Sequence, residues 1–134
     1  MPGVSEADSA LIRASYEALN RGEVDAALAA LHPDAVWRES PQLPGGDVFE
    51  GRGEISSFLG GFLEQWQVFH QTVESTVAAG DRVCVLIHLT AVGRGSGAQV
   101  DARYAHLWRI RDGLGAEVDA YYDPELALAQ LRAD

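Results

Sequence analysis

Apolar residues recur along this chain first with a helical period and then with a strand period, and the change falls near residue 66. Leu11, Ile12, Ser15 and Leu19 mark one face of a first helix over about residues 6–20, with Ser5 and Asp8 spaced as a capping box and Gly22 as its stop. Val24, Ala27, Leu28 and Leu31 repeat at helical spacing before His32-Pro33, which predicts a second, shorter helix that forms a hairpin with the first. Ile55, Phe58, Leu59, Phe62 and Trp66 carry a third helical stripe through Gly60-Gly61, whose missing side chains predict close packing.

From there the alternation is that of strands. A short strand, Ala35 to Ser40, precedes a Pro/Gly-rich loop at Pro41–Gly46, and longer strands are expected near 67–78, 82–92, 99–111 and 115–122. Turns at Ala79-Gly80-Asp81, at Gly93 to Gly97 and at Asp112-Gly113 join the long strands into an antiparallel meander. Pro124 opens a short terminal helix with Leu126, Leu128 and Leu131. Three helices followed by a long twisted sheet bury their apolar faces by lying on one side of it, so the fold class is α+β, a curved antiparallel sheet wrapped around the N-terminal helices.

Composition narrows the functional classes. The 134 residues, 47% hydrophobic and 22% charged, suit a single globular domain over residues 1–134. A net charge of −10 repels a phosphate backbone and argues against nucleic acid as partner. No stretch approaches the roughly 18 apolar residues of a membrane helix, and the N-terminus lacks a basic-then-apolar leader, so the expected location is the cytoplasm. Cys84, the single cysteine, sits in Val83-Cys84-Val85-Leu86-Ile87 with no activating cation and reads as strand filler.

The candidate chemistry centres on Glu39 and His106. Glu39 closes an apolar strand and shares a face with Trp37, while His106 falls between Tyr104 and Trp108 with the same alternation. If those faces meet, an acid and an imidazole share a pocket lined by Trp37, Phe58, Phe62, Tyr104, Trp108 and Tyr122. Burial disfavours the charged form of a carboxylate and makes it a stronger base, and an imidazole N–H stabilises charge developing on a carbonyl oxygen. Such proton transfer needs neither metal nor cofactor. The plainer reading is that a buried Glu and His form a structural pair.

Tyr16 to Asp25, Leu31-His32-Pro33-Asp34-Ala35-Val36-Trp37, Phe49 to Ile55, Leu107 to Gly113 and Tyr121-Tyr122-Asp123-Pro124 together resemble the SnoaL-like branch of the nuclear transport factor two superfamily. That resemblance covers nearly the whole chain and implies a cone-shaped fold with a pocket between sheet and helices, shared by isomerases, cyclases, epoxide hydrolases and binding domains. Asn20-Arg21-Gly22 through Ser40-Pro41 is most similar to the ketosteroid isomerases. The resemblance implies that Glu39 stands at their general base and His106 at their oxyanion-stabilising acid. It sets Ser15 at the position of their oxyanion tyrosine, with Tyr16 one residue off and about 100° around the helix, which leaves the constellation incomplete. Ala120 takes the place of the inward acid of the epoxide-hydrolysing relatives, which disfavours that activity.

Other polar residues carry less. His32 reads as a helix terminator, and His70 and His88 have no metal-ligand spacing. Gly93-Arg94-Gly95-Ser96-Gly97 is a hairpin turn, since no helix follows it to receive a phosphate. Cys84, Leu86, His88 and Thr90 with Arg103, Ala105 and Leu107 form an outer sheet face, apolar enough that a symmetric homodimer is expected to cover it. The expected function is a small-molecule enzyme of the ketosteroid isomerase or polyketide cyclase type, in which Glu39 moves a proton and His106, supported by Tyr104 or Tyr122, stabilises an enolate. The alternative is a non-catalytic binding module for a small apolar ligand, or an accessory domain for assembly.

Overall fold

A computed structural model describes residues 3–41 and 46–133; most of the loop after Glu39, residues 42–45, lies outside the described residues. In chain order the elements are α1 (Glu6–Asn20), α2 (Val24–Leu28), β1 (Leu31–Glu39), β2 (Val48–Glu50), α3 (Gly51–Glu64), β3 (Trp66–Ala79), β4 (Arg82–Gly93), β5 (Gln99–Arg111), β6 (Leu114–Tyr121) and α4 (Pro124–Arg132). The strands form one six-stranded sheet in the order β2-β1-β6-β5-β4-β3. The α+β class and the helix-filled, curved sheet follow the alternation in the sequence.

Local signals explain most boundaries. Ser5 Oγ accepts from the Asp8 N–H and Asp8 returns the bond to the Ser5 N–H, each at 3.0 Å, so α1 begins at a closed capping box. It ends where Gly22 takes φ +76° and the Glu23 and Gly22 N–H groups return to the carbonyls of Ala18 and Leu19. Asp112 and Gly113 both adopt positive φ and make the tight β5–β6 turn that Asp-Gly predicts.

Tertiary pairing overrides propensity in three places. The second helix stops at Leu28, because Leu31 already pairs with Gly115 in the sheet and gives its carbonyl oxygen to Arg52. His32 and Pro33 therefore lie inside β1, where the register against β6 shifts between Leu31 and Val36 and the missing proline N–H costs no ladder bond. Trp66 opens β3 instead of closing α3. The close packing expected at Gly60-Gly61 is also absent: a Cβ on either residue would meet no atom within 4 Å.

The topology contains one feature that the meander pattern conceals. β3 to β6 pair antiparallel in succession, but β1 joins the sheet parallel to β6, with β2 antiparallel on its outer edge. This brings β1 beside the C-terminal strands and places Glu39 opposite Ala120. α1 packs on β3 and α3 on β1, and the core of Ile12, Leu19, Leu28, Ile55, Val85, Trp108 and Val118 fills the space between helices and sheet.

On the opposite face, α4 lays Ala127 and Leu131 over Cys84, Ala105, Leu107 and Tyr121, which are all buried. The apolar outer face for which the sequence suggested a second copy is thus covered, over this part, by the chain's own last helix. Cys84 is sealed there, and burial pushes its thiol up to about 11. No described helix is long and apolar enough to cross a membrane.

Candidate functional site

The concave face of β1, β6 and β5 carries the site. Glu39 on β1 is in register with Ala120 on β6, and Ala120 with His106 on β5. Acid and imidazole therefore occupy one row with a methyl group between them, roughly 10 Å apart at the backbone from two strand spacings. Both line a cavity of about 280 Å³, together with Tyr16, Trp37, Phe58, Phe62, Trp66, Gln71, Tyr104 and others. That size and apolar lining suit a small organic molecule.

Glu39 has one protein partner near the lumen, the Trp37 indole N–H, which donates to Oε2 at 2.6 Å. No cation faces it. Loss of water holds its carboxyl above the usual carboxylate range; the Trp37 bond works against this and the nearby Asp47 adds to it. The Trp37 ring also meets His106 edge-on at 5.0 Å between centroids, so one indole locates both groups. The strand end is pinned beyond the acid, where Ser40 adopts φ 52° and donates its N–H to the Ala120 carbonyl at 3.0 Å.

His106 is buried, and desolvation pulls its imidazole down to about 3, so it is neutral at ordinary pH. The hydrogen bonds around it set the tautomer. Trp108 Nε1–H, which can only donate, gives its proton to the Tyr16 hydroxyl oxygen at 2.9 Å. Tyr16 keeps its own O–H for a further partner, and His106 Nδ1 lies 2.7 Å away; with that bond given to Nδ1, the imidazole proton is on Nε2. Nε2 has no partner among the described residues and is not among the sealed, unpaired atoms, so its N–H is open to the cavity. A fixed, uncharged donor faces the lumen beside a carboxylate of raised basicity.

The relay corrects the sequence reading at two positions. Tyr16, not Ser15, is the inward residue of α1; Ser15 Oγ donates to the Ala27 carbonyl at 2.8 Å and ties α1 to α2. The buried side of α1 runs Ile12, Tyr16, Leu19, a spacing already present in the sequence that could have exposed Tyr16. Trp108 is not part of the cavity wall either. It is 2% exposed, and its ring packs closely on Gly115 of β6, where a Cβ would come within 2.6 Å of it. Trp108 acts from behind, through Tyr16.

The other expected residues are distributed unevenly. Phe58 packs on Trp37 and stacks on Phe49, and Phe62 contacts Phe58, Trp66 and Phe69, which together make the apolar wall. Tyr104 stands next to His106 with ring centroids 5.3 Å apart; its hydroxyl accepts from the Gln71 amide, and burial pushes it up to about 12. Tyr122 is 71% exposed and contributes only at the rim. Gln71 and Trp66 are lining residues that the alternation did not single out. His88 lies on the far face, 2.7 Å from Asp101. Among the described residues, no three His, Cys, Asp or Glu side chains converge as metal ligands do.

Comparison with known proteins agrees with this fold. No curated protein matches the sequence. Among solved structures, a SnoaL-like polyketide cyclase, so named provisionally, from Jannaschia sp. CCS1 superposes with a TM-score of 0.79 at 18% identity, over 100% of this chain and 97% of that one. A protein from Xanthomonas campestris pv. campestris, also provisionally named a polyketide cyclase, is 26% identical over 94% of this chain and 97% of its own, with a TM-score of 0.70. An NTF2-like protein of unknown function from Burkholderia pseudomallei K96243 has a TM-score of 0.77 at 21% identity, over 96% and 99% of the two chains. The SnoaL-like domain family matches residues 12–118, from the middle of α1 into β6, and the chain belongs to that family.

Proposed function

We propose that the cavity binds a small apolar carbonyl compound and that Glu39 transfers a proton at the carbon next to the carbonyl, as in ketosteroid isomerases and polyketide cyclases. The observation that carries this reading is the row Glu39–Ala120–His106, an uncompensated carboxylate and a neutral N–H donor facing one apolar lumen. Glu39 removes the C–H proton, the C–H electron pair moves into the enolate, and the negative charge forms on the oxygen that accepts from His106 Nε2–H. In a β,γ-unsaturated ketone the dienolate takes the proton back from Glu39 at the γ carbon, which is isomerisation; where a second carbonyl lies in reach, the enolate carbon bonds to it, the C=O pair moves to oxygen and the alkoxide takes the proton from Glu39, which is cyclisation.

The relay supports the donor role. A donor aimed before the reaction costs no reorganisation as charge develops, and Tyr16 and Trp108 hold the imidazole proton on Nε2. Tyr104 and Tyr122, which the sequence suggested as helpers, are replaced in that role by Tyr16.

Hydrogen–deuterium exchange next to the carbonyl of cyclic aryl ketones and enones, followed by NMR in deuterated buffer, reads the proton transfer without knowledge of the natural substrate. The wild type is expected to exchange such protons above the buffer rate, and Glu39→Gln to lose about 10²–10⁴-fold with little change in ligand affinity. Exchange by Glu39→Gln at the wild-type rate would reject the base assignment. Absence of exchange across the panel, with an apolar dye bound equally by wild type, Glu39→Gln and His106→Ala, would make the cavity a container and Glu39 and His106 a structural pair.

A further inference from the structure

The cavity extends well beyond Glu39 and His106. Along β5 the alternate residues His106, Tyr104, Ala102 and Val100 all line it, a row roughly 20 Å long at the backbone. Their neighbours across the sheet are in register: Ala102 with Leu89, and Val100 with Ala91, which in turn pairs with Phe69. Over this floor runs α3. Its Phe58 packs on Trp37 at 6.1 Å between centroids, and its Phe62 meets Phe69 at 5.6 Å. The helix therefore follows the row from the Trp37 end, next to Glu39, to the rung that holds Val100, and the lumen between helix and floor is a trough.

Its two ends differ in chemistry. Glu39 is the one carboxylate on the wall, no arginine lines it among the described residues, and the acid shares its rung with His106. Past Tyr104 the lining is Leu89, Ala102, Val100 and Phe62, with Gln71 and Trp66 beside them. Those last two bring no free polar atom to the lumen: the Gln71 oxygen and the Trp66 indole N–H are sealed from it, and the Gln71 amide nitrogen is turned to the Tyr104 hydroxyl. Ala102 is the smallest side chain of the β5 row, a methyl group between a valine and a tyrosine, and it leaves the trough open at its middle.

We infer that the trough holds a straight apolar tail, so that the compound bound here is a long-chain ketone, its carbonyl between Glu39 and His106 and its chain lying past Tyr104 over Ala102 toward Val100. The tail meets only apolar surface, and every methylene that it lays there is removed from water. Ala102 stands roughly 13 Å from His106 at the backbone. An extended chain advances roughly 1.2 Å per bond, so about ten carbons beyond the carbonyl reach Ala102. Ala102 is then a specificity-determining residue, since a larger side chain there would block the trough without touching the reacting end. The inference rests on the reading of the cavity as the site of a carbonyl compound, and it names the class of that compound.

The test is binding of the methyl ketones from hexan-2-one to dodecan-2-one, read by headspace gas chromatography as the free ketone above a protein solution. The wild type is expected to gain about threefold in affinity per added methylene across the series. Ala102→Phe is expected to keep hexan-2-one within about twofold of wild type, to gain nothing beyond about octan-2-one, and so to bind dodecan-2-one at least tenfold more weakly. Ala102→Leu, a smaller intrusion, should lower dodecan-2-one in the same direction by less. Affinity independent of chain length in the wild type, no saturable binding of any member, or a loss spread equally over short and long ketones in both variants would overturn the inference. Because the readout is binding, it separates from the proposed activity. Chain-length dependence without proton exchange rejects the enzyme and keeps the tail site; exchange on cyclic ketones without chain-length dependence does the reverse.

Discussion

Two carboxylates on adjacent positions of the β1–β6 pair meet opposite environments. Glu39 faces the concave side, where its partner is an indole N–H at 2.6 Å. Asp119 faces the convex side, where Arg38 donates to it at 2.9 Å and to Glu117 at 2.8 Å, with Arg109 close to Glu117 as well. Loss of water raises both acids, but Arg38 opposes the rise at Asp119, while Glu39 has only the Trp37 N–H. Burial is common to the two faces; what distinguishes them is the cation. An arginine turns a half-buried carboxylate into part of a surface ion network, and its absence leaves one whose basicity is available for chemistry.

The sharpest way to break the comparison is through the relay behind the inner face. Tyr16→Phe removes the hydroxyl that joins Trp108 to His106 and leaves two buried groups unmet, at a cost of about 3 kcal/mol in urea unfolding. The convex face offers no counterpart of that size.

Acid titration separates the faces next. His106 lies at about 3 in the folded protein against 6.5 for a free imidazole, so between these values only the unfolded chain takes up its proton. Its contribution is whole above about pH 6.5 and lost as pH falls toward 3. Unfolding at pH 5 is expected to be about 2 kcal/mol easier than at pH 8 on this account. His106→Asn should remove that part of the slope; an unchanged slope would mean that the imidazole is not held neutral.

Trp37→Phe tests the one bond that lowers Glu39. Without the indole N–H, the acid limb of the kcat/KM profile is expected to move upward. A downward move would contradict the direction of that bond. Smallest is the outer face itself. Arg38→Met removes a half-exposed ion pair, with an expected loss within about 1 kcal/mol and unaltered proton exchange in the cavity. A large fall in exchange would show that the two faces are coupled through β1.

Legibility in the sequence followed the range of the interaction. The capping box at Ser5, the Asp112-Gly113 turn, the alternation in β3 to β6 and the inward parity of Trp37, Glu39, Tyr104 and His106 are set within a few residues of chain, and periodicity reports them. The family resemblance carried the rest of the fold class. Only the tertiary structure decided which strand lies beside which: the parallel β1–β6 pairing puts Glu39 in a row with His106 across Ala120, and nothing local in Leu31–Glu39 specifies that neighbour. The same holds for Tyr16, whose hydroxyl gains meaning from an imidazole and an indole that lie 90 and 92 residues further on. It holds for Gly115, whose lack of a Cβ matters through the Trp108 ring that fills the space, and for Cys84 and Leu107, which α4 covers. Side-chain period is a property of the backbone, whereas partners, burial and the absence of a counter-charge arise only when distant segments close on one another.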